Sequence, residues 1–208
     1  MSSVATPFGA RPVGTMSASG SFTGKVNHMP IATTYGTAIF FGDFVKLAVD
    51  GTIQKDMGTA TLGLSLIGIF MGCAFTDPTS GQKTFSQYWP AANAATDAVA
   101  YVMDDPFVVF QMQATGAMTQ AWLHGNAAVT QTAGTTALGI SRNALTQSST
   151  TATQTLPIRI VGFVDGPDSA VGDDYTDVLC RFNGYHLNLS YFIDASGNEN
   201  YGLGLATS

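Results

Sequence analysis

From Thr37 to Phe182 the chain is written as short apolar runs, each closed by a turn signal after about ten residues, a spacing that belongs to all-β sandwiches and barrels. The run TAIFFGDFVKLAV reaches Asp50-Gly51 before TIQKD resumes, and an Asp-Gly pair between such runs predicts a tight type I′ hairpin. LGLSLIGIFMGCAF passes through DPTSGQ into KTFSQYW, a second strand–turn–strand pattern. AVAYVMD and FVVFQMQ flank Asp104-Asp105-Pro106, where a proline unable to donate to a ladder marks a turn or the start of a strand. LPIRIVGFVD and TDVLCRF complete the series. In the second, Val178, Cys180 and Phe182 alternate with Asp177 and Arg181, the period of a strand with one buried face. The glycines between residues 62 and 72 predict bulges or a close backbone approach inside an otherwise apolar strand.

Composition closes off the helical alternative. Glu199 is the only glutamate, and charged residues make up 11% of the chain where about 25% is usual. The residues that ordinarily carry solvent-facing helix surfaces are therefore nearly missing. One short helix is expected, Met118 to His124, with Gly125 as its left-handed stop. Residues 130–155, rich in Thr, Ser, Ala and Gly, read as a long surface loop holding one weak strand. The expected fold is mainly β, an antiparallel barrel or sandwich with little helix. Its core domain covers 37–184, with an extended N-terminal arm over 1–36 and a C-terminal tail over 185–208.

The arm spaces Pro7, Pro12 and Pro30 among Gly, Ser and Thr, with the isolated apolar anchors Phe8, Val13, Phe22, Val26 and Ile31. Proline biases its surroundings toward extended backbone, so the arm is expected to lie as a strip on another surface. The tail, from Tyr185 on, is rich in aromatic and leucine side chains. It is expected to pack on the core or on a neighbouring subunit.

Convergent chemistry is hard to find. His28, His124 and His186 stand alone, without cysteine or carboxylate partners at metal-ligand spacing. Gly20 to Val26 resembles a phosphate loop but has too few residues between its glycines and lacks a hydroxyl after Lys25. Asp165, Asp168, Asp173, Asp174 and Asp177 crowd one segment, read as a solvent-facing turn between strands and not as a calcium loop. The net charge of −6 argues against direct nucleic-acid binding. Cys73 and Cys180 sit among apolar residues and are expected as buried free thiols. The opening MSSVATPFGARPVG lacks the apolar run of a secretory signal, and the stretch from Leu62 to Phe75 is too short to span a bilayer. The expectation is a protein made in a reducing cytoplasm that is not an enzyme, with no cofactor, no metal site and no membrane partner.

Taken in order, TPFGARPVG, FFGDFVKLAVDG, VAYVMDDPFVVFQMQ and LPIRIVGFVDGPDSAVGDDYTDVLCRFNGYHL resemble the motifs of a family of tailed-phage virion proteins. The resemblance spans nearly the whole chain and departs from the family pattern at Asn183 to Leu187. It implies a decoration, or cement, protein of the outer head surface, made in the host bacterial cytoplasm, whose partner is the major capsid protein. A homotrimer is the expected oligomer, with a dimer open. It brings no catalytic residue. Phe8, Arg11, Val13, Phe22, Lys25 and Val26 are the candidate capsid contacts. Two alternatives stay beside it: another virion component such as a fibre base or tail protein, and a carbohydrate- or metal-binding β module resting on Tyr88-Trp89 and the aspartate segment.

Overall fold

The computed structural model describes residues 4–16, 22–48, 50–57, 66–152 and 156–183, together with 192–193 and 199–200. Two antiparallel sheets carry the fold. In chain order the strands are β1 Arg11–Thr15, β2 Asn27–Pro30, β3 Ile39–Phe40, β4 Phe44–Leu47, β5 Ile53–Lys55, β6 Leu66–Thr76, β7 Lys83–Ser86, β8 Tyr88–Trp89, β9 Val99–Met103, β10 Val108–Gln113, β11 Asn126–Ala127, β12 Val129–Thr130, β13 Ala144–Leu145, β14 Ile158–Phe163, β15 Asp177–Phe182, β16 Phe192–Ile193 and β17 Glu199–Asn200. One sheet runs β1-β10-β15-β14-β11. The other runs β2-β9-β6-β4-β5, with β7 also on β6. Small pairs β3-β8, β12-β13 and β16-β17 complete the pairing. Neither large sheet closes on itself, so the architecture is sandwich-like and not a barrel.

Strand alternation explains how the core divides. Phe44, Ile69 and Met103 face the five-stranded sheet and join Phe110, Met112, Ile158, Ile160, Val178, Cys180 and Phe182. Their chain neighbours Val45, Phe70 and Val102 face the other way, onto Ile31, Ile53, Phe75 and Trp89. The second sheet is thus buried on both faces, which is why β6 reads as a nearly unbroken apolar run. Phe44, Phe110 and Phe182 form an aromatic triangle between the layers, with ring centroids 5.1–5.8 Å apart. Val178, Cys180 and Phe182 point inward as their spacing requires.

Asp104 to Phe107 does not close a hairpin. It carries the chain from β9 in one sheet to β10 in the other. Along this continuous ribbon the N-terminal segment runs antiparallel: Arg11 to Thr15 pair with Gln111 to Val108, and Asn27 to Pro30 pair with Val102 to Val99. Residues 1–36 were expected as an arm laid on another surface. Instead Arg11–Thr15 and Asn27–Pro30 supply an edge strand to each sheet, and Ala10 and Ile31 are in the core. Main-chain pairing to β9 and β10 satisfies an extended, proline-spaced strip as well as a foreign surface does.

Three other expectations are revised. The 48–52 hairpin is not a two-residue type I′ turn: Gly51 N–H donates to Ala48 O and Ala48 N–H to Thr52 O, and only Gly51, at φ 80°, takes the left-handed conformation that Asp50 was expected to share. The expected helix at 118–124 is a single 3-10 turn, Gln120–Trp122, and His124 at φ 65° takes the left-handed position assigned to Gly125. Residues 130–152 are no mere surface loop, since Ser141, Asn143, Ala144 and Leu145 are buried. The close approach predicted for the 62–72 glycines is real at Gly68, where a Cβ would overlap the Met103 carbonyl. Most of the expected tail lies outside the described residues.

Candidate functional site

The residues chosen from the sequence lie on β1, just before it, and on the segment leading to β2. Arg11 opens β1, and its guanidinium lies 4.7 Å over the ring of Phe8, which leaves Phe8 half-buried. Across β10, Gln111 donates to the Asp177 carboxylate at 2.7 Å. Burial pushes the Asp177 carboxyl up, and the Gln111 bond and the Arg11 charge act against that. Val26 is half-buried against the inter-sheet core, so it anchors the chain to itself. Arg11, Val13, Phe22 and Lys25 remain exposed.

The sequence reading chose Val13 and Phe22 but missed Met16 and Phe107. Val13 is 45% exposed at a bulge in β1, where the register shifts between Pro12 and Gly14. Met16, 53% exposed, donates its N–H to the carbonyl of Phe107, itself 50% exposed. Phe22, 39% exposed, stands before β2, whose Asn27 donates to Asp104 at 2.6 Å. Thus β1 and the crossover present exposed apolar side chains at an edge strand that pairs, among the described residues, with β10 alone, and Phe22 adds another exposed ring before β2. Met16 and Phe107 carry no chemical motif, and only pairing across some ninety residues of sequence puts them together.

A second cluster is buried and polar. Asp43 follows the turn at Gly42, and its carboxylate is completely enclosed. One oxygen, Oδ1, accepts from Ser141 Oγ at 2.6 Å and from Asn143 Nδ2 at 3.1 Å. The other, Oδ2, accepts from the Phe40 N–H at 2.9 Å and pairs with Lys55 Nζ at 2.9 Å. Asn143 Oδ1 in turn accepts the Thr132 N–H at 3.1 Å. The N-terminal segment roofs the cluster: Gly9 N–H donates to Asn143 O and Ala10 N–H to Gly42 O. Asp43 and Lys55 belong to the run FFGDFVKL and the strand after its hairpin, whereas Ser141 and Asn143 come from the segment read as a loop.

The remaining candidates do not assemble. Trp89 is fully buried and meets Phe75 edge to face at 5.4 Å, so it is not available to stack on a sugar. The 165–176 segment joins β14 to β15 with Asp165, Asp168 and Asp174 exposed, and Asp173 accepts the Ala170 N–H. Among the described residues no group of His, Cys, Asp or Glu is placed to hold a metal ion. His28 lies against Tyr101, with centroids 4.9 Å apart, and His186 is outside the described residues. Both cysteines are buried and free, and burial pushes the Cys73 thiol up to about 12 and that of Cys180 further. No described helix is long and apolar enough to cross a membrane. No family model, curated protein or solved structure matches this chain.

Proposed function

We propose that this chain is a decoration protein of a tailed-phage head, binding the outer surface of the assembled shell through the apolar β1 edge and the segment around Phe22. The observation that carries the reading is the exposed apolar set Val13, Met16, Phe22 and Phe107, three of them on or against a strand that is the sheet's edge among the described residues, on a chain with so few charges. Exposed apolar side chains beside an open edge suit a protein partner, here the major capsid protein, through added main-chain bonds and apolar contact. The ordered motif resemblance across the chain supports the same partner. A protein that binds only the assembled shell stabilises it by mass action, and repetition over many sites multiplies weak contacts. No catalytic step is needed. Low surface charge limits repulsion between crowded copies, and a trimer sharing each site would add bonds across the seams between capsomers.

The test is reconstitution. Heads lacking the protein should release DNA at a lower temperature than decorated heads, and the purified protein should restore the threshold. Val13→Asp or Met16→Asp should weaken head binding by roughly tenfold or more, because a desolvated carboxylate would have no partner. Heads that rupture at the same temperature with and without the protein would refute cementing.

A further inference from the structure

The buried polar cluster has more in it than an ion pair needs. An amine, a carboxamide and a carboxylate converge in a closed pocket: Lys55 Nζ rests on Asp43 Oδ2 at 2.9 Å, and Asn143 Nδ2 on Asp43 Oδ1 at 3.1 Å. Asp43 and Asn143 are completely buried and Lys55 is 6% exposed. We infer that the protein cross-links itself here, Lys55 Nζ displacing ammonia from the Asn143 carboxamide to form an isopeptide bond, with Asp43 moving the protons. The inference is independent of head binding, since it concerns only the interior of the chain.

Each role in the reaction can be assigned to a residue of the cluster, with Asp43 bridging amine and carboxamide through its two oxygens. An ammonium is not a nucleophile until it loses a proton, and Asp43 Oδ2 is in hydrogen-bond reach to take it. The amine then attacks Asn143 Cγ. Charge that develops on Asn143 Oδ1 is met by the Thr132 N–H, which already donates to that oxygen at 3.1 Å. The Cγ–Nδ2 bond breaks as Asp43 Oδ1, already bound to Nδ2, guides a proton onto the leaving nitrogen. Ammonia departs, the new amide keeps one N–H, and the remaining proton stays on Asp43. No electrons change hands. The products are neutral where the reactants were a buried ion pair, and burying separate charges is costly even when they are paired. Ser141 Oγ, at 2.6 Å from Oδ1, orients the carboxylate, and the roof of Gly9 and Ala10 excludes the water that would otherwise compete.

The bond would join the end of β5 to the residue preceding β13 and close a loop of about ninety residues, so it would constrain the unfolded chain strongly. The experiment is mass measurement on the purified full-length protein, followed by digestion. The expected result is a chain lighter than its sequence by one ammonia, with a branched peptide joining Lys55 to Asn143. Lys55→Arg keeps the charge beside Asp43 but should lack the branch and melt lower by roughly 10 °C. Three outcomes overturn the inference: a full-mass chain, an ammonia loss that maps elsewhere such as to Asn183, or a loss of water that maps to Lys55 and Asp43. The wild-type masses decide the matter even if the variant fails to fold.

Discussion

Gly68 and Gly14 make a controlled pair at the residue scale. At Gly68 the β6 backbone passes so close to β9 that any side chain must displace the Met103 carbonyl, whereas Gly14 on β1 has open space around it. Gly68→Ala should cost about 3 kcal/mol, and Gly14→Ala should fall within about 0.5 kcal/mol of wild type in urea unfolding. Ser141→Ala removes a 2.6 Å bond to a carboxylate enclosed away from solvent, so it should cost about 1–3 kcal/mol. The thiols give a chemical readout of the same packing. With Cys73 pushed up to about 12 and Cys180 higher still, neither is a thiolate near neutrality, and neither is accessible. A disulfide reagent at pH 8 should leave both untouched in the folded protein and titrate both after denaturation.

At the scale of elements, the ribbon formed by β9 and β10 organises the fold, because β1 and β2 both pair along it. Removing residues 1–36 would strip the edge from each sheet, uncover the Asp43 cluster and delete Ala10 and Ile31 from the core. The truncated protein should therefore aggregate instead of persisting as a soluble core, as sedimentation of the two forms would show. The β6–β7 hairpin depends on a different device. Asp97 accepts the Thr76 N–H at 2.8 Å, Thr76 Oγ1 at 2.7 Å and Lys83 Nζ at 2.8 Å. The Lys83 bond first, then the two Thr76 bonds, hold its carboxyl well below its ordinary 3.8. A depressed folded pKa means stability that is present above 3.8 and lost as pH falls toward the folded value. Asp97→Asn should be less stable than wild type at pH 7, and the gap should close on acidification below 3.8; a gap independent of pH would assign the effect to shape alone.

For the whole molecule, scarcity of charge has two consequences. It leaves the proposed head binding to rest on apolar contact and main-chain bonds along the β1 edge, which salt screens little. Affinity for heads should change by less than about threefold between 50 and 500 mM salt, whereas a contact built on Lys25 and Arg11 would weaken steeply. It also leaves few ion pairs to hold the interior. The two layers are joined by the aromatic triangle of Phe44, Phe110 and Phe182, and the enclosed Asp43 cluster ties β4 and β5 to the segment before β13. The proposed cementing role would gain from an interior that unfolds slowly, and the proposed tie between Lys55 and Asn143 would serve that end.

What the sequence determined by itself is what local rules can encode. Alternation along TDVLCRF told which residues of β15 face inward, the scarcity of charged residues argued for strands with one short helix expected at Met118 to His124, and the glycines between 62 and 72 pointed to bulges or a close backbone approach. These depend on the strand's period of two and on the absence of a Cβ, properties of a few consecutive residues. The tertiary structure alone decided that β9 and β10 belong to different sheets, that the N-terminal strip edges both, and that a segment read as loop supplies Ser141 and Asn143 to the interior. Turn chemistry at Asp104-Asp105-Pro106 marks a break in pairing without saying which sheet the next strand joins. The Asp43 cluster draws from positions about a hundred residues apart, and a hydrogen bond across that distance leaves no periodic trace in the chain. It forms only because burial of the surrounding apolar faces brings these polar groups together and then leaves them no partner but each other.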